Sequence, residues 1–143
     1  MAIEIVWGLV GGFVATVVMT LLMAPMMRGG GPTLMSMMGT KATGGDPASQ
    51  QAMRAGMGAH FVYGTVMGVV FALGASFLMI VNPLVTGVLF GLLLFIIAAV
   101  VVTPLSGAKM GGPMVAAFFV VHLIYGAVLA SVAALLSGVP ILG

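Results

Sequence analysis

Four long apolar stretches dominate this chain and leave almost nothing from which to build a water-exposed surface. They run from about Ile5 to Met26, His60 to Ile80, Pro83 to Val102 and Pro113 to Leu136. The hydrocarbon core of a bilayer takes roughly 20 apolar residues per helix, so each stretch is near spanning length. Only 4% of the 143 residues are charged, against about 25% in an average soluble domain. The expected fold class is an all-α membrane protein, a single domain over residues 1-143 with four transmembrane helices and one substantial loop at 28-59. Its first partner is the lipid bilayer.

The stretches are separated by residues that stop or start helices. Gly29-Gly30-Gly31-Pro32 is expected to end the first, since glycine and proline propagate a helix poorly. Asp46-Pro47 offers an N-cap acid followed by proline at the first helical position, so the second helix is expected to begin ahead of the membrane. Asn82-Pro83 predicts a tight hairpin between the second and third spans, and Gly111-Gly112-Pro113 opens the fourth. Met1 to Trp7 carries Glu4 and no basic residue, unlike a cleavable signal peptide, so the first helix is expected to persist.

Arg28, Lys41 and Arg54 lie between the first and second spans, and Lys109 lies between the third and fourth. By the positive-inside rule, loops 28-59 and 103-112 are expected to be cytoplasmic and both termini outside, in a multi-pass protein of the cell (inner) membrane. A formal charge of +2, with no Lys/Arg cluster, gives no basis for binding nucleic acid or an anionic lipid patch. Cysteine is absent, which excludes disulfides, thiolate metal sites and cysteine nucleophiles.

An internal repeat runs through the apolar stretches. His60-Phe61-Val62-Tyr63-Gly64 matches His122-Leu123-Ile124-Tyr125-Gly126, and the match continues through Val66/Val128, Val70/Val132, Ala72/Ala134 and Leu73/Leu135, seven identities in fourteen positions. Gly8, Gly12 and Pro25 are spaced as Gly87, Gly91 and Pro104 are. The pattern predicts two duplicated helical hairpins of the same topology, a parallel repeat about a pseudo-twofold axis along the membrane normal.

That repeat sets His60 and His122 at equal depth near the cytoplasmic ends of two helices. Ionisable residues inside a membrane are costly and tend to be functional, which makes the pair the leading candidate for a metal or cofactor site. In one reading the imidazoles are axial ligands to a tetrapyrrole of haem or chlorophyll type, with Gly64 and Gly126 making room for the macrocycle. In the other, each neutral ring bonds a backbone carbonyl where helices pack tightly on small residues. Two histidines fall short of a zinc site, which takes three or four protein ligands. Tyr63 and Tyr125, three residues on, are candidates to bond a ligand or to anchor the chain at the membrane border.

Methionine numbers fourteen, with Met23, Met26, Met27, Met35, Met37 and Met38 clustered around the end of the first span. Thioethers suit copper(I), although methionine also fills gaps in apolar packing. Glu4 and Asp46 are the only acids and are expected outside the spans, which leaves no intramembrane proton relay. No triad, phosphate loop or carboxylate pair is present, so no enzymatic activity is expected.

The stretch Gly12 to Thr20 and the two motifs beginning at His60 and His122 together resemble a family of small prokaryotic four-helix membrane proteins of unknown function, with HxxYG in the second and fourth spans. The resemblance covers nearly the whole chain and implies a fold but no activity. The resulting expectation is a non-catalytic subunit packed in a larger membrane complex or homo-oligomer. The alternatives are an electron-transfer module binding a tetrapyrrole through two histidines, and membrane transport of copper or another small solute.

Overall fold

The computed structural model describes residues 2–27, 33–78, 82–109 and 111–138, and within these residues it is helical with no strands. The elements are α1 (Ala2–Met27), α2 (Leu34–Thr43), α3 (Gln50–Leu78), α4 (Pro83–Ile97), a π-helical turn (Ala98–Val102), α5 (Thr103–Ser106) and α6 (Gly112–Ser137). Four segments are long and apolar enough to cross a membrane: Ile3–Pro25, Gln50–Ala75, Pro83–Ser106 and Gly112–Ser137. Their outer faces carry exposed side chains such as Leu21, Val62, Val100, Leu105 and Leu135. An apolar exterior on this scale is what lipid requires and what water forbids.

Helix starts follow local chemistry. Asn82 Oδ1 accepts from the N–H groups of Leu84 (2.9 Å) and Val85 (3.2 Å), with Pro83 at the first position of α4, as its sequence predicts. Asp46-Pro47 does not start α3. Asp46 Oδ1 instead accepts from Ala48 N–H in a turn (2.8 Å), and Ser49 Oγ accepts from Ala52 N–H (3.1 Å) just ahead of Gln50. α3 therefore begins at Gln50, ahead of the apolar stretch that opens at His60 as expected, though not at Asp46-Pro47. The interval 28-59 is likewise not all loop, because Thr33 and Ser36 cap each other at the head of α2, and Gly44 ends it with a left-handed backbone (φ 69°). The glycine-proline stop at 29–32 and Arg28 lie outside the described residues.

Lipid offers no hydrophobic drive between helices, so close backbone approach must hold the bundle. On α1, Gly8 and Gly12 meet Gly68 and Gly64 of α3; a Cβ on Gly12 would lie 2.8 Å from the Gly64 carbonyl oxygen and 2.9 Å from Gly68 Cα. On α4, Gly87 and Gly91 meet Gly126 and Ala130 of α6, where a Cβ on Gly126 would lie 2.9 Å from Gly91 N. α1 also packs along α6, whereas α3 and α4 touch at few positions, with the Phe71 and Phe90 rings tilted against each other at 5.3 Å. α2 lies against the start of α3, its Gly39 on the Ala52 carbonyl and Gly56 of α3 on the Met35 carbonyl. α2 also touches α5, which brings the two loop regions that carry Lys41 and Lys109 to one end of the bundle.

The third span changes pitch near that end. The ring of Pro104 would crowd the carbonyl of Val100, four residues back, and supplies no N–H. The backbone widens into the π turn, and Thr103 Oγ1 donates to the Ala98 carbonyl, five residues back (2.9 Å). Such turns often mark functional positions in membrane helices and elsewhere.

Candidate functional site

Under α2, the four spans enclose a cavity of about 290 Å³. Thr16, Met19 and Met23 reach it from α1, spaced three and four residues apart on one helical face. Thr33, Leu34, Met35 and Met38 close its end from α2 and its cap. Leu94, Ala98 and Val102 line the third wall, the last two from the π turn. His60, Tyr63 and Gly64 come from α3, and Phe118, His122 and Tyr125 from α6.

The two histidines share this cavity and their helical register. His60 follows Gln50 by ten residues and His122 follows Gly112 by ten. Both rings line that one space. His60 is thus nearly three turns into its helix, not at its start. Tyr125 is buried at 3% exposure, which rules it out as an interfacial anchor, and its hydroxyl donates to the Gly64 carbonyl across the bundle (2.5 Å). Tyr63 is 37% exposed and stands at the cavity's edge.

The protons of Thr16, His122 and Tyr125 in the lining are already committed. Thr16 Oγ1 donates to the Gly12 carbonyl (2.6 Å), and His122 Nδ1 lies 2.7 Å from the Phe118 carbonyl oxygen. A carbonyl only accepts, so Nδ1 carries the proton of the neutral ring and Nε2 keeps the lone pair. Thr16, His122 and Tyr125 each give a proton to main chain, and what they retain is lone pairs. His60 Nε2 is the exception, the one buried side-chain polar atom without a hydrogen-bond partner among the described residues. Such orphans are rare, because burial without a partner costs about 1–3 kcal/mol.

Gly64 and Gly126 do sit at close contacts, but the contacts are with helices. A Cβ on Gly64 would come 3.1 Å from Thr16 Cβ, and the face of Gly126 is covered by Gly87 and Gly91. The room assigned to a macrocycle beside these glycines is filled. Met23, Met35 and Met38 of the methionine cluster reach the cavity and Met19 joins them, whereas Met37 points its methyl toward Gly107. The side chains of Met26 and Met27 lie outside the described residues. No group of three or more His, Asp or Glu side chains gathers among the described residues.

Sequence reasoning overlooked Thr16, Met19 and Phe118. A signal was available, since Gly12, Thr16, Met19 and Met23 form one stripe, and Phe118 precedes His122 by one turn. Glu4, expected outside the spans, lies within the first of them and lines a second cavity of about 260 Å³, bounded also by Trp7, Thr86 and Ser137.

A family profile described as a family of unknown function (DUF6789) matches residues 2–141. The chain belongs to the DUF6789 family. No curated protein and no solved structure matches it. Membership accords with four helices long and apolar enough to cross a membrane and brings no activity with it.

Proposed function

We propose that this protein is a non-enzymatic, membrane-embedded binding protein whose site is the cavity shared by His60 and His122. One observation carries the reading: a buried imidazole nitrogen, His60 Nε2, has no partner in a space that the second histidine also lines. A ring that only supported packing would bond a carbonyl, as His122 does through Nδ1. A bound ligand supplies the missing partner.

The finer architecture belongs to the same proposal. Duplication of a helical hairpin is supported by the paired contacts of Gly8 and Gly12 on α3 and of Gly87 and Gly91 on α6, and by the common register of the histidines. The copies have diverged where α3 faces α4, the counterpart of the tightly packed pair α1 and α6. Clustering of Lys41 and Lys109 at one end supports a cytoplasmic mouth beneath α2. The role of packing subunit in a larger complex has lost one support, because the small-residue stripes are consumed inside this bundle.

The test is native mass spectrometry of the full chain purified gently from its own membranes. The wild type should retain a bound species that the His60→Leu/His122→Leu variant lacks, with both eluting alike and equally helical. Identical spectra with nothing bound to either, together with co-purifying membrane proteins, would return the chain to the packing-subunit role.

A further inference from the structure

We infer that the His60–His122 cavity binds a soft monovalent metal ion, copper(I), through the two ring nitrogens and thioether sulfurs drawn from Met19, Met23, Met35 and Met38. This rests on the binding-site reading above and names the ligand class. The donor set is the first reason. Two imidazoles and four thioethers line the cavity beside the hydroxyls of Thr16, Thr33, Tyr63 and Tyr125, and thioethers select copper(I) among biological metals. No carboxylate, thiolate or ammonium lines the cavity, so calcium and magnesium find no anionic oxygens and zinc finds too few ligands.

The committed protons are the second reason. With the Thr16, His122 and Tyr125 protons held by main-chain carbonyls, these three groups are left with lone pairs, which suit a Lewis acid. The Nδ1–H of His122 on the Phe118 carbonyl is also the arrangement that orients a metal-ligating imidazole and leaves Nε2 for the metal. Charge decides between one and two units. The Born cost of burying an ion scales with the square of its charge, so a divalent ion costs about four times as much as a monovalent one in a site of neutral donors. A protonated amine meets the charge condition and could bond the ring and hydroxyl lone pairs, but the four thioethers, weak hydrogen-bond acceptors, would give it little.

The experiment titrates the purified full chain anaerobically, with ascorbate, against a chromogenic copper(I) chelator. The wild type should withdraw one copper(I) per chain. His60→Ala and His122→Ala should each weaken binding by more than the roughly 10–100-fold that loss of an outer-shell partner costs. X-ray absorption of the loaded protein should show nitrogen and sulfur neighbours, and replacing the four methionines by leucine, close in volume, should remove the sulfur shell. Failure of the wild type to withdraw copper(I), equal binding by the histidine variants, a sulfur-free shell, or zinc(II) held as tightly would each overturn the inference. If mass spectrometry then finds an organic molecule whose retention needs His60, the copper assignment falls and the binding-site reading stands.

Discussion

A buried ring nitrogen without a partner destabilises the empty protein, and His60 carries one. His60→Leu should therefore raise the stability of the ligand-free chain by about 1 kcal/mol, the low end of what an unsatisfied group costs. Unfolding in mixed detergent followed by circular dichroism measures this, and a loss of stability would mean that Nε2 is satisfied after all. His122→Leu should act in the opposite sense, because that ring is buried, bonds Phe118 and packs edge-on against its ring at 4.4 Å. Tyr125→Phe removes the single hydroxyl bond to Gly64, and the same assay should show a loss of about 0.6 kcal/mol, the usual worth of an interhelical bond in a membrane. The histidines were legible because their motif repeats. Their difference was not, since whether a nitrogen finds a carbonyl depends on ring orientation in the packed bundle.

Among the elements, α2 and the first turns of α3 provide a paired comparison. Gly56 lies beneath the Met35 carbonyl, where a Cβ would sit 2.5 Å from the carbonyl carbon, whereas nothing lies within 4 Å of a Cβ on Gly58. Both glycines are inside α3. Gly58→Ala should stabilise the chain by about 0.5–1 kcal/mol through helix propensity alone. Gly56→Ala should lift α2 off the cavity, seen as faster amide exchange over residues 34–43. Equal exchange in the two variants would show that α2 is not held by this contact. The four spans were readable from length and apolarity, but α2 was hidden. It is short and its cap is Thr33 with Ser36 in place of the usual glutamate, so only docking on α3 makes it a helix.

At the level of the whole molecule, the end carrying Lys41 and Lys109 should face the cytoplasm. Cysteines introduced singly at positions 41 and 82 of a chain that has none should react with an impermeant maleimide on intact cells at 82 and not at 41. The reverse pattern would turn the bundle over and place the cavity mouth outside. Sequence alone determined that the chain carries four segments long and apolar enough to cross a membrane, because hydropathy and segment length are properties of composition along the chain and need no partner. It also singled out His60 and His122 as a pair, since the motif spacing repeats. Tertiary structure decided what those residues face. The glycines that looked like room for a macrocycle are occupied by Thr16, Gly87 and Gly91, and methionines from α1 and α2 meet the imidazoles in one cavity. The reason is physical: in lipid, side-chain polarity does not dictate which helix faces meet, and the choice falls to backbone approach and shape, which exist only once the helices are packed.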